Sequence, residues 1–357
     1  MVAVRLCRHG VELHSVWPLG PDGPHGVFAD HLGPAVRTVD VQRARHLCVP
    51  RVVVLRRAFP RPNRPLVTVS VVIPTVGRSS LHRAVESVLG QTEPVDEVII
   101  VADTAEPVSY PVDDRIMLLR NESNSGPAVS RRRGIDAARG SVIALLDDDD
   151  EWHPDKLQRQ LAAVAGAGPH WIASCRMEAV GPGDRRRVWP RRVIGAREPV
   201  GDYLFRFTDL RHGGRALQTS TLCFPAELAR AVHWDAHAGA VHDEPSWLLA
   251  VARQFPDLRV IQLPEVLSTY HVAHSSLSRQ QVDLTDSYIA WGLRYLAGES
   301  PRVRGDYLCS SPVSAAVTAR SLSGIGRAVR ASFRHGRPGL PALGFAALSA
   351  VRLLVRR

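Results

Sequence analysis

Four consecutive carboxylates, Asp147-Asp148-Asp149-Asp150, follow directly on the apolar run Val142-Ile143-Ala144-Leu145-Leu146. Neighbouring carboxylates repel one another at short range, and a fold tolerates them best when a cation neutralises them. Mg²⁺ and Mn²⁺ want oxygen ligands, and such ions are commonly held by one or two carboxylates together with substrate phosphates. A cation held this way clamps a diphosphate and stabilises it as a leaving group. The same run could be a solvated acidic turn leading into the helix at Asp155. Its place at the end of a buried strand favours the metal reading. A further carboxylate, Asp103, stands just past a second apolar run, Glu97-Val98-Ile99-Ile100-Val101, where a simple turn residue is the alternative.

The elements that must position these groups follow from periodicity. Val67-Thr68-Val69-Ser70-Val71-Val72-Ile73 is β-branched and almost continuously apolar, as expected of a strand buried on both faces. The spacing of Leu81, Val85, Val88 and Leu89 predicts a helix, capped by Ser79 or Ser80 and stopped by Gly90. Strands are predicted at 97–101, 116–119 and 142–146, and helices at 126–138 and 155–164. This order describes an open α/β domain with a parallel sheet. Ligands in such sheets bind beyond the carboxyl ends of the strands, where Asp103 and the four aspartates stand. Residues 181–215 read as loop-rich. A strand is expected at 220–224, a helix at 243–255 with Trp247, Leu248 and Val251 on its apolar face, and a strand at 260–263.

Residues 1–65 read as a separate segment of unknown role, with a short apolar run at 52–55 and a proline-rich linker at 57–65. Residues 66–280 form the main domain and 281–357 an arginine-rich helical extension. The 357-residue chain is 45% hydrophobic, enough for a sizeable core. Its formal charge of +10 comes almost wholly from arginine, Lys156 being the one lysine. That charge suits phosphate-bearing partners. No zinc-finger spacing or aromatic-basic interleaving supports nucleic-acid binding. Five widely spaced cysteines without a CxxC motif read as thiols of a reducing compartment. The N-terminus lacks the pattern of a signal peptide. A cytoplasmic chain is expected, with its basic C-terminus available for peripheral contact at the inner face of a membrane.

Several ordered motifs then carry a resemblance. Val69-Ser-Val-Val-Ile-Pro-Thr75 with Arg78, Ser87-Val-Leu-Gly-Gln-Thr92, Asn124-Ser-Gly126 with Arg131, and Leu146-Asp-Asp-Asp-Asp-Glu-Trp-His-Pro154 resemble the family 2 glycosyltransferases of the GT-A fold. The resemblance runs from Leu66 to about Ser278. It implies a Rossmann-like nucleotide-diphospho-sugar transferase sheet, an inverting mechanism, and a nucleotide-sugar donor, UDP- or dTDP-linked, used with Mn²⁺ or Mg²⁺. Pro74, Thr75 and Arg78 would lie on the nucleotide side. Asp103 would bind the base with Arg131 nearby, and Asp148 would face the ribose. Asp147 and Asp149 would be the metal-binding DxD pair, with Asp150 in support. Asp243 aligns with the family's catalytic base and Glu244 is its alternate. His274 would contact metal or diphosphate, or stand on the surface.

The sequence departs from the family pattern at Ala102, Val76-Gly77 and Arg132, all on the nucleotide side. The acceptor hydroxyl, on a saccharide, a lipid-linked carrier or a natural product, is not legible. Two other classes stay open: a sugar-nucleotide nucleotidyltransferase, for which the 74–78 loop is a poor fit, and a degenerate nucleotide-sugar-binding module.

Overall fold

A computed structural model describes residues 2–7, 10–15, 67–208, 213–235, 241–272 and 282–355 of the chain. The chain divides into two compact units, Met1–Leu66 and Val67–Arg357. In the first, β1 (Val2–Cys7) pairs antiparallel with β2 (Gly10–Ser15). The run at 52–55 and the linker at 57–65 lie outside the described residues.

The second unit opens with β3 (Val69–Thr75), every residue of which is buried, and α1 (Leu81–Leu89), which ends at Gly90. There follow β4 (Glu97–Ala102), β5 (Ile116–Arg120), α2 (Pro127–Ala137) and β6 (Val142–Leu145). These four strands form a parallel sheet in the order β5-β4-β3-β6. The β-branched residues that predicted them fill both faces. Val71, Ile73 and Val98 pack under α1, while Val72, Ile99 and Val101 pack under α2.

Beyond β6 the sheet departs from the expected parallel pattern. The chain runs through β7 (Glu151–Trp152), α3 (Lys156–Ala163), β8 (Trp171–Gly181), β9 (Arg185–Trp189) and α4 (Val200–Phe205). It then enters β10 (Cys223–Pro225), α5 (Ala226–Ala231), α6 (Asp243–Gln254) and β11 (Arg259–His271). The order continues β6-β10-β8-β11-β7, with β9 on β8. Here β10 is antiparallel to both β6 and β8, whereas β11 is parallel to β8. The expected strand at 220–224 begins as a 3-10 turn, Thr219–Thr221. The loop-rich reading of 181–215 missed the β8–β9 hairpin, whose arginines Arg185, Arg186 and Arg187 are exposed.

Five helices complete the unit: α7 (Thr285–Tyr295), α8 (Pro301–Leu308), α9 (Ser311–Thr318), α10 (Leu322–His335) and α11 (Leu340–Val355). Trp291, Tyr307 and Leu308 share one core with Val72, Ile99 and Phe224 of the sheet. Asp306, fully buried, accepts from the backbone amides of Phe207 (3.1 Å) and Gly339 (2.7 Å) and pairs with Arg206 (3.1 Å). The helical extension is thus built into the same unit as the sheet. Cys175, Cys223 and Cys309 are buried free thiols. No helix among the described residues is long and apolar enough to cross a membrane.

Candidate active site

The acidic loop is held by three anchors. Asp148, 1% exposed, accepts from Thr75 Oγ1 (2.5 Å) and from Arg78 (2.5 Å), which latches the loop to the end of β3. Asp150 is fully buried and accepts from Ser220 Oγ (2.6 Å), Gln218 Nε2 (3.1 Å) and the His271 amide (3.2 Å). The third anchor is Trp152, buried with Lys156 Nζ 4.0 Å from its ring centroid and its indole N–H donating to the Ser220 carbonyl. With Asp148 and Asp150 turned inward, Asp147 and Asp149 keep 25% and 28% of their side chains exposed. Burial, reinforced by the charge of Asp147, pushes the Asp149 and Asp150 carboxyls up, Asp150 strongly so. A run of oxygens strained in this way suits a hard divalent cation.

Asp103 is engaged by the loop that follows β5. It accepts from Asn121 Nδ2 (2.7 Å) and from the amides of Ser125 (2.8 Å) and Gly126 (2.8 Å). Gly126 has φ +87°, a left-handed conformation that a residue with a Cβ adopts at a cost, and its amide reaches Asp103 from it. Asp103 therefore fixes the entry to α2. Asn121, absent from the sequence reading, is the residue that ties it to β5.

The resemblance places Arg131 near Asp103 on the nucleotide side. Its guanidinium donates to Asp147 (2.7 Å) and, from its other nitrogen, to Asp243, contacts that the sequence did not indicate. Arg131 is 5% exposed, and burial disfavours its charge. The two carboxylates more than offset this and raise its pKa. The attraction of two anions explains the placement. Asp243 and Glu244 open α6, where the helix N-terminus favours negative charge. Burial alone would raise Asp243, but Arg131 and hydrogen bonds from Glu244 bring it below the ordinary range. Glu244 is pushed well above its usual value by burial and by the adjacent Asp243 charge.

The structure therefore gathers Thr75, Arg78, Asp147, Asp148, Asp149, Arg131 and Asp243 into one connected network, with Glu244 beside it. His274 lies outside the described residues. Ser220, Gln218 and His271 hold the acidic loop but carry no local signal. Tyr270-His271 lay in a segment of the family resemblance, but nothing marked the His271 amide as a partner of Asp150.

The site thus joins a sheet that ends in an acidic loop, through one guanidinium, to an acidic helix start. Residues 70–225, less than half of the chain, match the family model described as Glycosyl transferase family 2. The amylovoran biosynthesis glycosyltransferase AmsB of Erwinia amylovora is 28% identical over 220 residues, covering 58% of this chain and 70% of that relative. The putative colanic acid biosynthesis glycosyl transferase WcaA of Escherichia coli K12 is 39% identical over 171 residues, covering 41% of this chain and 60% of the relative, less than two thirds of its length. Among solved structures, the mannosyltransferase PcManGT from Pyrobaculum calidifontis, in complex with GDP-Man and Mn²⁺, shares the fold. Its TM-score is 0.50 at 18% identity, and 80% of each chain is covered.

Proposed function

We propose that the chain transfers a sugar from a nucleotide-diphosphate donor to an acceptor hydroxyl, with inversion at the anomeric carbon. The observation that carries this is Arg131, whose two ends hold Asp147 of the acidic loop and Asp243 of α6. A donor-side carboxylate and a base-side carboxylate thereby belong to one site. The donor is UDP- or dTDP-linked, with its nucleoside against Pro74 and Thr75 and within the loop that Asp103 organises.

Asp147 and Asp149 are the groups that would hold Mn²⁺ or Mg²⁺. They are hard oxygen donors, both reach solvent, and no closed cage of three His, Cys, Asp or Glu side chains forms among the described residues. Such a set suits an ion completed by phosphate oxygens. When bound, the ion supplies charge neutralisation to the leaving diphosphate. His274 joins this set on resemblance alone.

In the transfer, the acceptor oxygen forms a bond to the anomeric carbon from the face opposite the diphosphate. The carbon–oxygen bond to the diphosphate breaks, and its electron pair leaves on the phosphate oxygen. The hydroxyl proton passes to Asp243, the member of the acidic pair that is ionised at neutral pH. Glu244, its carboxyl pushed up by burial and by the Asp243 charge, hydrogen-bonds to Asp243 and keeps its neighbour oriented.

The work place is the cytoplasm, at the inner face of the membrane. Support comes from residues 307–357, which carry eight arginines and no Asp or Glu. Two variants test the catalytic reading by calorimetry and by release of nucleoside diphosphate from a panel of sugar nucleotides. Asp149→Ala should abolish metal-dependent donor binding, and equal donor affinity with and without EDTA would remove the metal from the scheme. Asp243→Asn should keep donor binding and lose turnover on the order of 10²-fold or more.

A further inference from the structure

Helix α6 opens on the acidic pair, so the place of Asp243 depends on what holds the first turn of that helix. Helix ends carry backbone groups that need partners from outside the helix. His242 stands at the N-cap, and its side chain makes no capping hydrogen bond. The turn is closed by Ser246, which is 3% exposed. Ser246 donates to the His242 carbonyl from its amide (3.3 Å) and from its hydroxyl (2.7 Å). The same hydroxyl oxygen accepts from the indole N–H of Trp291 in α7 (2.9 Å). Asp243 and Glu244 lie between the two ends of this closed turn.

Four rings surround the His242 side chain. Trp291 and Tyr288 of α7 meet it edge-on, with centroids 4.9 and 5.2 Å away. Tyr307 of α8 lies at 5.8 Å and Phe205 of α4 at 6.3 Å. Edge-on aromatic contacts favour a defined geometry. The cage is itself tied together, since Tyr307 donates to the Tyr288 carbonyl (3.1 Å). A Cβ on Gly292 would lie 2.5 Å from Tyr307 Cε1, so only a residue without one lets α7 approach that ring so closely. Packing for stability falls on the apolar face of α6, where Trp247, Leu248 and Val251 join the core. The clasp from α7 reaches the polar first turn, whose other residues are the acidic pair and Pro245.

We propose that Trp291, acting through Ser246 and the His242 carbonyl, is a positioning residue for the base, and that the C-terminal helices thereby take part in transfer. This rests on the reading of Asp243 as the base. The hydrogen bond fixes where the first turn of α6 begins, and with it the place of Asp243 relative to Arg131. A misplacement of about 1 Å can cost on the order of 10²-fold in rate. The donor is held from the other side of the site, so the effect falls on kcat and leaves donor affinity alone.

The test uses the purified full chain, Trp291→Phe, which keeps a ring and deletes the N–H, Ser246→Ala, which leaves the cage whole, and the double variant. Release of nucleoside diphosphate from UDP-glucose and dTDP-glucose is followed with Mn²⁺ and water as acceptor, and UDP affinity is measured by calorimetry. Hydrogen exchange is read in the peptide that contains Ser246. Each single variant should lower kcat about tenfold or more, with KM and UDP affinity unchanged and exchange at the start of α6 faster. The double variant should be no worse than Ser246→Ala, because both changes act through one hydroxyl. Should Trp291→Phe lose UDP binding, Ser246→Ala decides alone. Unchanged kcat in Ser246→Ala, in an enzyme that Asp243→Asn disables, overturns the positioning role and leaves the transferase reading standing. Loss of kcat together with UDP affinity in Ser246→Ala also overturns it, as the mark of a merely structural contact. A wild-type chain that turns over no sugar nucleotide sinks the transferase reading, and the positioning role with it.

Discussion

Asp243 and Glu244 are adjacent in sequence and their carboxyls are shifted in opposite directions. Arg131 draws Asp243 below the ordinary aspartate range, while burial and the Asp243 charge push the Glu244 carboxyl well above its own. Glutamine copies the shape of a protonated glutamate. Glu244→Gln should therefore keep most of the turnover that Asp243→Asn loses, and steady-state rates of the two variants decide the assignment. The pH profile carries the same information. A folded-state pKa lowered below the unfolded value means that the Asp243 contribution to stability is present above about pH 4 and is lost as pH falls through the folded value. The acid limb of kcat/KM should accordingly lie below the ordinary aspartate pKa of about 3.9. A limb well above it would transfer the base role to Glu244. Site legibility followed the same division. The carboxylates were legible because strand ends and helix starts leave a pattern. The meeting of Arg131 with Asp147 and Asp243 was not, since it depends on how α2 and α6 pack on the sheet.

At the scale of elements, α2 is the one that must sit closest to the sheet. A Cβ on Gly134 would lie 2.4 Å from Val72 Cγ1 and 3.1 Å from Val101 Cγ2. Gly134→Ala should force the helix away from β3 and β4 and cost about 1–3 kcal/mol by chemical denaturation. Because Arg131 lies one turn earlier, donor binding should weaken in the same variant. An unchanged midpoint would mean that the helix shifts freely. The strands under α2 were legible because burial on both faces demands continuous apolar runs. In contrast, β8 alternates polar Ser174, Arg176 and Glu178 with apolar Ala173, Cys175, Met177 and Ala179, a half-buried-strand period that was legible but not read. Its partner β9 presents three consecutive arginines, and only cross-strand contacts such as Arg186 with Glu178 (2.8 Å) reveal it.

Across the whole molecule, charge and apolar exposure gather toward the C-terminus. α11 buries Ala342, Ala346 and Ser349 and leaves Leu348, Val351, Leu354 and Val355 at 47–81% exposure. These four share one side of the helix, as the spacing of three and four residues requires. An apolar stripe within an acid-free, arginine-bearing segment matches an anionic bilayer surface. The chain should sediment with phosphatidylglycerol vesicles, bind phosphatidylcholine vesicles weakly, and lose the difference in Leu348→Gln with Val351→Gln. Vesicle binding unaffected by that pair would place the contact elsewhere.

The span of Arg131 also bears on engineering. α2, the acidic loop and α6 come from separate stretches of chain, yet Arg131 of α2 holds one carboxylate from each of the other two. A chimera that takes residues up to the acidic loop from one parent and α6 from another inherits a guanidinium and a carboxylate that were never matched. Exchange of segments between such enzymes thus has a poor seam between residues 131 and 243.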